Sequence, residues 1–260
     1  MKTVFSFRFG AQALALLLSA GLLAGCGSDD DDNPQPQNNN NNNNQPATPQ
    51  PNDADAVLVA LNVAIPSPVV IPGMPATITM GMGVAAFFSA PNSDAYVDAG
   101  TVNLNNSDLT KNANNTYVYQ PSQTNPMGLD FGSGVNWQVG GAGNIPAFSK
   151  SVPGMPQSAT ITSDSVVTKA NGYTLTVNPV STGDSILYMI ASDNNTYVMK
   201  TTHRSVNSVT FTAAELSGLA TSSQAIMQAN VYKITSDMFG GKKVYFVNQA
   251  STVKTGVKIQ

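Results

Sequence analysis

Chemistry in this chain would have to come from few groups: one thiol at Cys26, one imidazole at His203, one glutamate at Glu215, and aspartates scattered along the sequence. A serine nucleophile needs a base beside it and a carboxylate to orient that base. His203 falls on a predicted strand next to Arg204, and Phe131-Gly132-Ser133-Gly134 lacks the first glycine of a nucleophile elbow. Glycoside hydrolysis needs two facing carboxylates, and Asp98, Asp108, Asp130, Asp164 and Asp184 are too scattered to pair by spacing. No catalytic residue is assigned, and the chain reads as a non-enzyme.

Metals and cofactors fare no better. One histidine and one cysteine cannot build an ordinary zinc site. The stretches 92–94, 103–108 and 193–195 are rich in Asn and Asp, but they lack the alternating ligands and closing glutamate of an EF-hand. Turn formation explains them more simply, with an irregular calcium loop left open. Asp130-Phe131-Gly132, Gly140-Gly141-Ala142-Gly143 and Gly240-Gly241-Lys242 imitate phosphate motifs without the companions those motifs need; Lys243 stands where a P-loop has Ser or Thr. No metal site and no cofactor are expected.

The thiol has a more specific context. Lys2 and Arg8 form a positive leader, followed from Ala11 to Gly25 by an almost wholly apolar or small-residue run, the layout of a secretory signal. That run is too short to span a bilayer comfortably. Its end, Leu23-Ala24-Gly25-Cys26, resembles a bacterial lipobox. The resemblance implies cleavage of residues 1–25, lipidation of Cys26 and membrane attachment through its acyl chains. With Cys26 committed to lipid, no thiol remains for a disulfide.

Residues 26–54 hold the lipidated cysteine, Asp29 to Asp32, several prolines and glutamines, and an unbroken run from Asn38 to Asn44. Such composition buries almost nothing and cannot offset its ordering entropy, so a disordered tether with a span of roughly 30 Å is expected. Gly27 rather than Asp follows the cysteine, and the acidic run resembles the surface-export signal of Bacteroidota lipoproteins. Residence at the outer membrane or cell surface is what that resemblance implies. The alternative, that the aspartates only keep the tether solvated, stays open.

From Asp55 onward the charges nearly cancel, leaving no nucleic-acid footprint. Short β-type runs recur between Gly, Pro, Asn and Ser clusters, and only Ala213 to Leu219 looks helical. The expected fold class is all-β: two antiparallel β-sandwich domains, 55–151 and 152–260, after the tether. An echo of Ile71-Pro-Gly-Met-Pro75 at Val152-Pro-Gly-Met-Pro156 marks the proposed boundary. Tyr173-Thr-Leu-Thr-Val-Asn-Pro-Val180 with Gly183-Asp-Ser-Ile-Leu-Tyr188 resembles strands of fibronectin type III modules, the second domain's expected immunoglobulin-like kin. The segments Asp98 to Asn103, Val135 to Trp137, Ile145 to Phe148, Phe211 to Leu216 and Gly240 to Phe246 are similar to Bacteroidota outer-membrane lipoproteins of uncharacterised activity.

Aromatics are the remaining source of binding energy. Trp137 shares a strand face with Val135 and Val139 and reads as core, whereas Tyr117 and Tyr119 are candidate ligand contacts in an Asn-rich setting. Ser165 and Ser185, in Asp-Ser-Val and Asp-Ser-Ile, resemble Bacteroidota O-glycosylation acceptors. The functional expectation is a lipid-anchored envelope protein that displays sandwich modules to a protein or glycan partner. An accessory carbohydrate hydrolase, or a subunit assembling by strand exchange, are the alternatives.

Overall fold

The structure, a computed structural model, describes residues 53–67, 77–91, 93–194 and 196–260. The leader, Cys26, the tether to residue 52 and the Ile71–Pro75 half of the echo lie outside the described residues. In chain order the strands are β1 Ala56–Pro66, β2 Thr77–Phe87, β3 Val102–Leu104, β4 Ser107–Asp108, β5 Thr110–Lys111, β6 Tyr117–Tyr119, β7 Val135–Val139, β8 Phe148–Val152 and β9 Val166–Val167. A 3-10 turn, Lys169–Asn171, then leads to β10 Tyr173–Thr176, β11 Ser185–Ala191, β12 Tyr197–His203 and β13 Ser208–Phe211. The short helix α1, Ala213–Leu216, precedes β14 Ser222–Phe239 and β15 Lys242–Ile259. The fold is all-β and sandwich-like.

One nine-stranded sheet runs β12-β11-β14-β15-β1-β2-β6-β5, with β9 joined to β15. Its spine is the β14–β15 hairpin, two 18-residue strands joined at Gly240-Gly241. Those glycines sit at φ 54° and 81°, the left-handed pair that a two-residue hairpin turn requires. β1 explains its own near-continuous apolar sequence: Ala56, Leu58 and Ala60 enter one core while Val57, Val59, Leu61 and Val63 enter another. A strand buried on both faces has no reason to alternate.

Two smaller sheets cover one side of the large one. β4-β3-β7-β8 brings Val102, Leu104, Val135, Trp137 and Val139 onto Leu58, Phe87 and Phe246. β10-β13, with Leu216 of α1, brings Leu175, Val209 and Phe211 onto Ile186, Tyr188, Met227 and Val257. Helix α1 starts where Thr212 and Glu215 form a reciprocal capping box.

Three features depart from the sequence expectation. First, β1 and β9 run parallel to β15, so the large sheet is mixed rather than purely antiparallel. Second, β15 spans both halves, contributing Val244 and Phe246 to the first core and Val257 and Ile259 to the second. The 151/152 position falls at the last residue of β8, and β15 of the large sheet serves both cores. Third, β15 runs on for 18 residues although the polar Gln249 and Ser251 interrupt its apolar pattern; both are buried within it, with Gln249 Nε2 donating to Ser251 Oγ at 2.7 Å.

β2 likewise joins two short apolar runs through Gly81-Met82-Gly83. Gly81 N donates to Met127 O at 2.8 Å, and a Cβ on Gly81 would stand 1.9 Å from Leu129 O. Only glycine lets the backbones approach so closely.

Candidate functional site

On the covering sheet of the second core, apolar and polar residues alternate strictly. Leu175, Val209 and Phe211 point inward, leaving Thr174 and Thr176 of β10 and Ser208 and Thr210 of β13 facing out. A third, irregular segment extends the ladder: Ile161 bridges Val177, Thr162 N donates to Thr176 O at 2.9 Å, and Asn178 N donates to Thr160 O at 2.9 Å. The outcome is a three-stranded outer face made of hydroxyls, with Asn178 and Asp164 at its margins.

A groove of about 540 Å³ opens along this face between residues 162–168 and β10, closed at one end by Asn171 and Gly172. Its walls are cross-braced. Ser163 Oγ accepts from Thr176 N at 2.5 Å and donates to Thr174 O at 3.2 Å. The Tyr173 hydroxyl donates to the Asp164 carbonyl, and burial raises its phenol above the usual value. Thr174 and Thr210 hydroxyls bond each other at 2.9 Å across the strands. Neither Lys nor Arg lines the groove, and Asp164 is the one carboxylate among the lining residues.

The other carboxylates with close partners do structural work. Asp98 pairs with Lys111, Asp237 with Lys150, Glu215 with Lys200, Asp55 with Lys242 and Asp53 with Lys243. Burial works to raise the Glu215 carboxyl, but Lys200 and the Thr212 cap outweigh it and hold it below its usual value. Asp184 accepts from Ile234 N at 2.8 Å, and Asp130 from Gly132 N at 2.9 Å. Among the described residues no cluster of three or more His, Cys, Asp or Glu could hold a metal ion.

Of the aromatic candidates, Tyr117 must be corrected. It is 1 % exposed, packed edge-on against Phe87, and its hydroxyl donates to Asp98 at 2.7 Å while accepting Ala99 N–H at 2.9 Å. A ring so enclosed offers no face to a ligand; the phenol is a bolt between β6 and the 98–100 turn. Tyr119 stays half-buried, its hydroxyl accepting from Asn125 at 3.1 Å. Trp137 is 1 % exposed, as its strand period requires. His203 Nδ1 lies 2.8 Å from Ser205 Oγ and accepts Ser205 N–H at 3.3 Å, which closes the turn after β12. Of the two glycosylation candidates, Ser185 is buried and closed to a transferase, while Ser165 is half-buried beside the groove.

The Tyr117 bolt has a measurable consequence. Lys111 first, then Tyr117 and Gly100 N–H, hold the Asp98 carboxyl well below the usual carboxylate range, and burial together with Asp98 pushes the Tyr117 phenol up to about 12. A depressed Asp contributes stability above its unfolded pKa and loses it as pH falls; a raised Tyr contributes below its unfolded pKa and loses it as pH rises. Unfolding free energy should therefore be flat from about pH 5 to 9, then fall on both sides. Tyr117→Phe, which strands Ala99 N–H, should cost about 1–3 kcal/mol in urea unfolding and make the acid decline shallower. An unchanged midpoint and acid limb would show that the bolt carries no load.

The groove was not singled out from sequence, although its signal was present. Thr160-Ile161-Thr162, Thr174-Leu175-Thr176-Val177 and Ser208-Val209-Thr210-Phe211-Thr212 each alternate hydroxyl with apolar residues. What sequence does not tell is that three such segments, far apart in the chain, lie side by side. Compared with known proteins, the chain matches no family model and no curated protein.

Proposed function

We propose that this chain is a lipid-anchored cell-envelope protein that acts by binding, held to the outer membrane through acyl chains on Cys26 and presenting its folded part to a glycan or protein partner. The observation that carries the binding half is the hydroxyl-lined groove, whose lining holds one carboxylate and neither histidine nor lysine. Two facing carboxylates, which the hydrolase alternative needs, are not among its lining residues. The anchoring half rests on the leader and Leu23-Ala24-Gly25-Cys26. No helix among the described residues is long and apolar enough to cross a membrane.

The anchor is tested by intact mass. Protein extracted from membranes should lack residues 1–25 and carry acyl chains on a peptide beginning at Cys26. A mass equal to the unprocessed polypeptide would overturn it.

A further inference from the structure

We infer that the outer face of the β10–β13 sheet and its groove form a binding site for a neutral oligosaccharide; this rests on the reading that the folded part works by binding. The chemistry of the surface narrows the ligand by elimination. Phosphates, sulfates and uronates need cations, and none lines the groove. Two ammonium groups bonded to the backbone of the site are already engaged: Lys254 on the Ser163 carbonyl, and Lys200 on the Thr210 carbonyl and the Glu215 carboxylate. A metal ion needs more ligands than Asp164 alone supplies. A protein partner would be expected to find Trp, Tyr or Arg anchors, yet the one large apolar side chain exposed here is Val166, at 46 %.

A saccharide matches what is left. Its many hydroxyls both donate and accept, as do those of Thr174, Thr176 and Thr210. Among the described residues, neither the Asp164 carboxylate, which faces the Tyr173 phenol electrostatically, nor the Asn171 amide makes a side-chain hydrogen bond, so both can bond a ligand. A carboxylate can accept from two neighbouring sugar hydroxyls at once, and an amide can donate and accept alongside it. Val166, the exposed apolar side chain of the groove, gives the apolar C–H side of a pyranose a place to rest. The strands set the outward side chains about 4.8 Å apart across the sheet and about 7 Å apart along it. Single neutral hydrogen bonds contribute little in water, so an extended ligand crossing all three segments is required, and a monosaccharide should bind poorly.

The test is titration calorimetry of the full-length protein in detergent micelles against maltohexaose, cellohexaose and mannohexaose, with Asp94→Asn as the exposed remote control. At least one hexasaccharide should bind. Asp164→Asn should weaken it about tenfold or more, and Thr174→Val or Thr176→Val about threefold to tenfold each. Melting curves should be unchanged by all three, so that lost binding is not lost folding. Absence of heat from every hexasaccharide at millimolar concentration would overturn the inference, as would binding indifferent to all three substitutions. If, with no saccharide bound, the immobilised protein retains a polypeptide that Thr174→Val releases, the face belongs to a protein partner; the saccharide assignment then fails while the display function stands.

Discussion

Trp137→Ala is expected to remove about 3–5 kcal/mol of unfolding free energy, the usual cost of hollowing out a buried indole site. Trp137 is 1 % exposed on β7, between Val135 and Val139 on the same face, while Asn136 and Gln138 face solvent. It pairs across the strands with Leu104 of β3 and Lys150 of β8, so its ring sits centrally in the sheet that covers the first core. A domain holds together by only about 5–15 kcal/mol, so the variant should melt far below the parent. The indole N–H has no hydrogen-bond partner, so Trp137→Phe gives up volume but no bond and should cost less than the alanine variant. Native emission should be blue-shifted and poorly quenched by iodide. An alanine variant that melts like the parent would mean that Trp137 does not carry the core.

Cys26→Ser should have the largest effect on location. Each buried methylene contributes about 0.8 kcal/mol, so one acyl chain binds marginally and two or more hold a protein on a membrane almost permanently. On the proposed lipidation at Cys26, removing the thiol removes every chain at once. Radiolabelled or alkyne palmitate should no longer be incorporated, and the folded part should move from the membrane fraction to the soluble fraction. Persistent membrane association of the variant would contradict the lipid anchor.

Much of the fold was legible from alternation and turn chemistry. β7 turns Val135, Trp137 and Val139 to one face as their alternation requires, and the helical turn at Ala213 begins where Thr212 can cap it. Period-two patterning reports which residues face inward, and turn residues report where strands end; both are local. Pairing is not local. Nothing near Val57 announces that β1 lies parallel to β15, nearly two hundred residues on. Buried polar residues mislead for the same reason. Gln249 and Ser251 break the apolar run but are sheltered at the middle of the large sheet, where Gln228 and Asn230 of β14 are buried too. Such residues mask the continuity of one 18-residue strand.

The candidate site was legible only in part. Tyr117 and Tyr119 share a strand face in an Asn-rich stretch, which reads as a ligand contact, but exposure depends on what packs above a strand, and Phe87 and the 98–100 turn pack on Tyr117. Conversely, threonines alternating with apolar residues are ordinary in any strand. They become a surface only where Ile161 meets Val177 and Thr174 meets Thr210.

The central claim, that this protein works by binding on its hydroxyl face, is tested most directly by hydrogen exchange of the full-length protein with and without each of the three hexasaccharides. Backbone amides at 160–178 and 208–212 should exchange more slowly with the saccharide that binds, while those of β7 and β14 stay as they were. Slowing confined to 117–128, around Tyr119, or no slowing anywhere under saturating conditions, would contradict the account.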